Sequence, residues 1–283
     1  MHVQVTKADG SAEYFKVEKL RRSLRRAGAT PEEVNGIVVQ IQAELYDGMT
    51  TQEIYRRAFT LLRAQELPIA ARYSLRRALF NIGPTGFPFE LLLGRLFTAE
   101  GYNVRTGIII KGRCAEHEID IAAFNEKHSF VGEAKFHARP GIKTDLQVAM
   151  YSYARLLDLR ENRICQEDIC AIKEFWLITN TKFTSAVERY AECVGVNLLS
   201  WDYPRHDNLY DRLQRYHLYP ITVLQHLTPS QTTILIERGI IVCQDLLDNS
   251  SVLRHLHLSE RKQEALLNEA KAIVSGTITA HNS

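Results

Sequence analysis

The chain has 283 residues, 45% of them hydrophobic, and a formal net charge of +2 at pH 7. This length supports two or three modest hydrophobic cores, and so small a net charge confines any contact with a polyanion to local patches. Five cysteines without a C-x-x-C pair, no signal peptide and no apolar run near twenty residues predict a cytoplasmic protein with no membrane contact.

The first 85 residues predict a basic, mostly helical domain. They hold thirteen Lys and Arg against nine Asp and Glu, a net charge of +4. A short β-hairpin turned at Asp9-Gly10 comes first, and about four helices follow it. Basic helices are more often a solvated surface or a nucleic-acid contact than a nucleotide site, so composition alone leaves these interpretations open.

Three segments make the assignment of this domain more specific. They read VTKADGSAEYFKVEKLRRSLRRAGA, LYDGMTTQEIYRRAFTLL and PIAARYSLRRALFNIG. Together they resemble the ATP-cone, a nucleotide-binding regulatory module found at the amino terminus of many ribonucleotide reductases and in a related transcriptional repressor. The resemblance implies that ATP or dATP binds as an effector. No glycine-rich Walker loop is present, so nothing in the sequence favours hydrolysis of that nucleotide.

The same resemblance implies which residues bind the nucleotide. Three lysines would gather the phosphates: Lys7, Lys16 and Lys19. A base or ribose pocket would lie near Val5 and Glu13. Thr51, at the cap of QEIYRRAF, and Tyr55, one turn later, would form the second wall of the cone. The chain departs from the family at Ala8, where a basic residue is frequent, and at Tyr55, where a His can occur, so base selectivity and the number of bound nucleotides stay open.

Residues 86–204 predict an α/β domain. An apolar helix, FPFELLLGRLFTAEGYNV, follows a short joint at Gly83-Pro84-Thr85-Gly86. The helix is predicted to begin at Pro88 and to end at Gly101-Tyr102. Strand-like and helix-like runs follow. The predicted order is helix, three strands, helix, strand, helix and strand, with Trp176 to Ile178 as the apolar centre of the fourth strand.

Charged residues converge in the hairpin EIDIAAFNEKHSFVGEAKF. Side chains alternate faces along a strand, so Asp120 shares a face with Glu118, and Glu133 shares one with Lys135. A turn at 125–128 would set Asp120 across from Glu133 and Lys135. Mg²⁺ usually takes one or two carboxylates from a protein, and the lysine would orient an attacking water or stabilise charge on a phosphate. Solvent-facing charges of an ordinary hairpin would give the same pattern.

Residues 87–201, in this order of elements, resemble the PD-(D/E)xK nuclease superfamily. Its Mrr-like type IV restriction endonucleases are most similar, with archaeal Holliday-junction resolvases as relatives. The resemblance implies that Asp120 and Glu133 are ligands of Mg²⁺ or Mn²⁺ and that Lys135 is the catalytic lysine. Ile119 stands where the family has a proline before the first Asp, and proline supplies no ligand.

The resemblance implies two further catalytic positions. Glu90 matches an acid that related enzymes place on the first helix, pointing at the metal site, although the helix dipole alone favours an acid in a first turn. Gln147 and Tyr151 match a Q-x-x-x-Y motif that lies beside the active site in recombination-type nucleases. On an amphipathic helix these two side chains need no such role.

Residues 205–283 predict a small helical module. Thr228 before Pro229 and Ser259 before Glu260 each signal a helix start. The pattern is similar to helix-hairpin-helix modules that bind the DNA backbone, but LHLSERK lacks the glycines that such hairpins use. A packing or oligomerisation role therefore competes with DNA binding.

The predicted fold class is α/β multidomain, made of a mostly helical ATP-cone with a β-hairpin (1–85), a restriction-endonuclease-like α/β core with a mixed sheet (86–204) and a helical C-terminal module (205–283). The predicted function is a Mg²⁺-dependent DNA endonuclease that an adenine nucleotide regulates and that assembles as a homo-oligomer. The alternatives are a nucleotide-responsive DNA-binding or regulatory protein with an inactive nuclease fold, and an enzyme that cuts RNA or single-stranded ends.

Overall fold

The computed structural model describes residues 3–7, 9–161, 172 and 174–276. The chain divides into two compact units, the first made of residues 1–75 with 268–283 and the second of residues 76–267. These units follow other bounds than the three domains predicted from the sequence, because both divisions fall inside helices. The three-domain division stays a prediction.

The described residues form a β-hairpin followed by helices, then a region of mixed strands and helices, and then a last group of helices. The strands are β1 Gln4–Thr6, β2 Ala12–Tyr14, β3 Asn103–Lys111, β4 Glu116–Phe124, β5 Ser129–Lys135, β6 Lys143–Thr144, β7 Glu174–Thr179, β8 Lys182–Phe183 and β9 Asn197–Leu199. The α-helices are α1 Val17–Arg26, α2 Pro31–Glu44, α3 Thr51–Gln65, α4 Leu67–Phe80, α5 Phe87–Ala99, α6 Leu146–Glu161, α7 Ser185–Val194, α8 Leu209–Arg215, α9 Pro229–Glu237, α10 Cys243–Asp248 and α11 Glu260–Ser275. Short 3-10 helices cover Ile221–Val223 and Ser250–Leu256.

The first unit is the predicted β-hairpin followed by helices. β1 and β2 pair antiparallel with Val5 opposite Glu13. The hairpin turns where the sequence predicts, because Gly10 takes a φ of +80° and the Asp9 carboxylate accepts hydrogen bonds from the backbone and hydroxyl of Ser11. Apolar side chains of α1, α2 and α3 form the core, among them Leu24, Val38 and Leu62, which are fully buried.

The start of α3 corrects one detail of the sequence analysis. Thr50, not Thr51, is the N-cap, because its backbone is extended and its side chain accepts from the Glu53 amide at 3.1 Å. The Glu53 carboxylate in turn accepts from the Thr50 amide at 2.8 Å, which completes a capping box. Thr51 is therefore the first helical residue.

The centre of the second unit is a five-stranded mixed sheet in the order β3-β4-β5-β7-β9. The first three strands pair antiparallel, and β5, β7 and β9 pair parallel. Phe124 lies opposite Ser129, so residues 125–128 form the hairpin turn that the sequence predicts. The predicted order of helices and strands is confirmed. Two short strands were not predicted, β6 and β8, which pair with each other.

Helices cover the sheet and bury its apolar side chains. Leu156 of α6 and Val187 of α7 pack in one core with Phe175 and Leu177 of β7. Phe97 of α5 belongs to a separate aromatic cluster. Its ring lies 4.9 Å from that of Phe130 and 6.4 Å from that of Trp176, both in edge-on orientation. This cluster packs α5 against β5 and β7.

Short helices follow the sheet, as the sequence predicts. α9 begins at a capping box in which the Thr228 amide donates to the Gln231 side chain at 3.0 Å, with Pro229 in the first turn. Cys243 and Leu246 of α10 are buried with Leu253 of the following 3-10 helix. The predicted start of α11 at Glu260 is likewise confirmed.

Candidate active site and nucleotide pocket

Asp120 and Glu133 lie side by side on neighbouring strands. Ile121 pairs with Gly132, so the next pair along β4 and β5 is Asp120 and Glu133. The Ala134 amide donates to Asp120 Oδ2 at 2.7 Å, which orients this carboxylate toward β5. Lys135 Nζ lies 3.5 Å from Glu133 Oε1. The structure thus brings the three predicted residues of the hairpin together.

Glu90 joins this group from the first turn of α5. Burial, and then repulsion from Asp120, Glu118 and Glu133, together raise the pKa of its carboxyl to about 7. Burial, then repulsion from Glu133, also raises the pKa of Asp120 to about 6. This mutual repulsion shows that the three carboxyl groups lie close together. We refer below to Glu90, Asp120 and Glu133 as the acid cluster.

Arg155 of α6 is a site residue that the sequence analysis missed. Its Nη1 donates to Glu133 Oε2, and only 14% of its side chain is exposed. Its guanidinium also lies over the ring of Tyr151, 4.5 Å from the centroid. The spacing Gln147, Tyr151, Arg155 was the available signal, since residues four apart share a helix face. Gln147 itself is exposed, and no hydrogen bond joins it to the acid cluster among the described residues.

The donor set of the acid cluster fits a hard divalent cation. Carboxylate oxygens are what Mg²⁺ prefers, and the raised pKa values of Asp120 and Glu90 mark negative charge that a cation would stabilise. Within the described residues, no group of three or more His, Cys, Asp or Glu is already arranged to hold a metal ion. Glu133 is instead neutralised by Arg155 and Lys135. A metal bound by Glu133 would therefore compete with Arg155 and Lys135 for this carboxylate.

The raised acid pKa values predict a pH-dependent stability. Because a raised pKa means that the folded protein binds more protons than the unfolded chain, stability falls as pH rises from about 4 to about 7. Asp120→Asn removes one such acid while keeping an oxygen that can accept from the Ala134 amide. We expect it to raise the unfolding free energy by about 1 to 2 kcal/mol at pH 8 and to have no effect at pH 4.

Urea unfolding at both pH values, with a chelator present, measures this difference. Glu126→Gln removes an exposed acid from the hairpin turn and serves as the matched control. Equal effects of Asp120→Asn at pH 4 and pH 8 would contradict the expectation.

A cavity of about 270 Å³ lies in the first unit. Most of the predicted nucleotide-binding residues line it. These are Val5, Glu13, Lys16, Lys19, Thr51 and Tyr55. Lys7 is not in the lining, but its Nζ lies 3.4 Å from Glu13 Oε2, so it adjoins the same cavity. The structure therefore gathers these residues around one pocket.

Glu13 organises the positive charge of this pocket. Its carboxylate accepts from Lys19 Nζ at 2.8 and 3.0 Å and also pairs with Lys7. The hydrogen bond from Lys19 lowers the pKa of Glu13, so the carboxyl stays ionised at neutral pH. Lys16, at the N-cap of α1, is exposed. A triphosphate that took Lys7 and Lys19 would replace the Glu13 carboxylate as their partner.

An aromatic pair forms one wall of the nucleotide pocket. The rings of Tyr55 and Tyr73 are stacked, with centroids 5.2 Å apart and planes 10° from parallel. Burial raises the pKa of Tyr73, whose hydroxyl is hydrogen-bonded to Ser23. Tyr73 lies on α4, a helix to which the sequence analysis assigned no binding residue. A flat aromatic wall of this kind suits a planar base.

Comparison with known proteins supports the prediction for the amino terminus. Residues 3–81 match the family described as the ATP cone domain, which confirms the ATP-cone assignment. This match indicates that the amino-terminal part binds an adenine nucleotide as a regulatory effector. Residues 219–274 match a second family, described as "AF1548-like, C-terminal".

An uncharacterised protein of Archaeoglobus fulgidus is 34% identical to this chain over 183 residues, which cover 64% of this chain and 99% of the relative. The chain belongs to the AF1548-like family. The solved crystal structure of AF1548, a protein of unknown function, is 32% identical to this chain in sequence and similar in fold, with a TM-score of 0.56. The match covers 68% of this chain and the whole of the solved chain.

Membership of the AF1548-like family brings no stated activity with it. Neither the family description nor the two relatives' names mention a nuclease, so the nuclease assignment stays a prediction that depends on the site. In the described residues, no helix combines the length and apolarity that a membrane span requires.

Proposed function

We propose that this member of the AF1548-like family is a Mg²⁺-dependent DNA endonuclease whose activity is regulated by ATP or dATP bound to its ATP-cone. The observation that carries the proposal is the convergence of Asp120, Glu133 and Lys135 on adjacent strands, with Glu90 entering from α5. Asp120 and Glu133 are the residues that would hold the ion. Bound Mg²⁺ would supply Lewis-acid stabilisation of a phosphodiester and of its attacking water.

The chain's own residues would carry the remaining steps. Lys135 lies within ion-pair distance of Glu133, so its ammonium can face a phosphate oxygen or hold an attacking water. Glu90 has a pKa near 7 in the absence of metal, which suits a group that exchanges protons at neutral pH. Cutting both strands of a duplex needs two such sites, and one chain supplies one, so we propose a homo-oligomer.

A direct test is incubation of the full chain with plasmid, linear and branched DNA, with and without Mg²⁺ and with and without ATP or dATP. Nicked or linear products that require Mg²⁺ would support the proposal. Intact DNA under every condition would contradict it. Parallel reactions with RNA and single-stranded DNA distinguish the kind of nucleic acid that is cut.

One observation favours a second function. Arg155 and Lys135 already neutralise Glu133, as they would in a nuclease fold that no longer binds metal. The second candidate is therefore a nucleotide-responsive DNA-binding or regulatory protein with an inactive nuclease fold. It predicts DNA binding that changes with ATP or dATP and no strand cleavage with any divalent ion.

The identity of the metal gives a prediction of its own. We expect Mg²⁺ and Mn²⁺ to support cleavage. Ca²⁺ should support DNA binding, but with cleavage at least about 10²-fold slower than with Mg²⁺, because calcium's longer and looser coordination misplaces water and phosphate. Gel assays of binding and cleavage in each ion measure both quantities. Full activity in a chelator would contradict metal dependence.

A further inference from the structure

Arg155 is held beside the acid cluster by contacts on two sides. Glu133 Oε2 accepts from its Nη1, and the Tyr151 hydroxyl lies 3.3 Å from its Nη2. The ring of Tyr151 also supports the guanidinium face at 4.5 Å, while 56% of Tyr151 remains exposed. The guanidinium therefore sits between a buried carboxylate and a tyrosine that reaches the surface.

The third nitrogen of this guanidinium has no partner. Arg155 Nε is buried and makes no hydrogen bond to any described residue. An unpaired buried donor is costly, so a site that keeps one generally has a ligand for it. Arginine presents its donors in a planar fork that matches two oxygens of a phosphate.

Glu133 has one carboxylate and three cationic partners to satisfy if a metal binds. Its Oε1 faces Lys135 at 3.5 Å and its Oε2 faces Arg155, so a divalent ion bound by Glu133 would compete with both groups for this carboxylate. Displacement of Arg155 would free all of its donors in the place where a phosphodiester would lie.

We propose that Arg155 is a phosphate-contacting residue that holds Glu133 while no metal is bound and transfers to the phosphodiester when a divalent ion takes that carboxylate. This inference rests on the proposed function. It makes Arg155 a competitor of the metal in the absence of DNA and a partner of the metal in its presence.

The first experiment measures metal affinity without DNA. Mn²⁺ is titrated into the full chain, and free Mn²⁺ is counted by electron paramagnetic resonance. Because Arg155→Met removes a competing positive charge, we expect it to bind Mn²⁺ about fivefold tighter or more than the wild type. The matched control is Arg95→Met, which removes an arginine paired with Asp245 at 2.8 Å and should leave Mn²⁺ affinity unchanged.

The second experiment measures cleavage at saturating Mg²⁺. Loss of a donor to the transition-state phosphate is expected to slow Arg155→Met by about 10² to 10³-fold, and Arg155→Lys should recover part of that loss. Circular dichroism checks that each variant is folded. If Arg155→Met does not fold, Arg155→Lys takes its place in both experiments. It is then expected to bind Mn²⁺ tighter than the wild type and to cut DNA more slowly than the wild type.

The two experiments separate this inference from the proposed function. A wild type that cuts no DNA with any divalent ion contradicts the proposed function, while the Mn²⁺ titration still decides whether Arg155 competes for Glu133. Unchanged or weaker Mn²⁺ binding by Arg155→Met would overturn the inference, and so would undiminished cleavage by the same variant.

Discussion

Asp120→Asn is expected to reduce DNA cleavage by about 10³-fold or more and to leave DNA binding within about threefold of the wild type. The substitution removes a negative charge that would hold the ion, and with it the electrostatic stabilisation of the reacting phosphate. Contacts between the protein and other phosphates persist, so affinity for DNA is kept. Lys135→Ala should have a similar effect, because it removes the ammonium group that would face the reacting phosphate beside Glu133.

The controls for this prediction are set by the structure. Asparagine keeps an oxygen that can accept from the Ala134 amide, so the link between β4 and β5 survives. Glu118→Gln removes an exposed charge two residues away on the same strand and should cut DNA at close to the wild-type rate. Cleavage by Asp120→Asn at the rate of Glu118→Gln would show that the acid cluster is not the active site.

Lys7→Ala/Lys19→Ala is expected to weaken ATP or dATP binding by about 10²-fold, which corresponds to about 3 kcal/mol. Both ammonium groups adjoin the cavity of the first unit and are held beside it by Glu13. Arg22→Ala/Arg25→Ala removes the same charge from α1 at positions that do not line the cavity, and is the matched control. Calorimetry measures the affinity of each variant.

The bound nucleotide is expected to act without being consumed. Coupling requires that it bind one assembly or one active form better than another, and typical couplings of about 1 to 3 kcal/mol change rates or populations by roughly five- to 150-fold. Light scattering and cleavage assays with and without ATP measure these changes. If neither the wild type nor the variant binds adenine nucleotides at millimolar concentration, the pocket has a structural or DNA-contacting role instead.

Local signals in the sequence predicted most of the secondary structure. The turn at Gly10, the proline-led starts of α5 and α9, and the hairpin turn at 125–128 all depend on residues close in the chain. The N-cap of α3 was misplaced by one residue because Thr50 and Thr51 are chemically alike. The capping-box spacing was the available signal, because Glu53 lies three residues after Thr50, whereas Ile54 lies three residues after Thr51.

The sequence by itself determined the ATP-cone assignment and the alternation that puts Asp120, Glu133 and Lys135 on neighbouring strands. Only the tertiary structure decided that Arg155 neutralises Glu133 and that Tyr73 stacks on Tyr55. Periodicity identifies which residues of one element share a face, but it carries no information on which other element packs against that face. Burial and repulsion, which raise the pKa values of Glu90 and Asp120, likewise exist only once α5, β4 and β5 have come together.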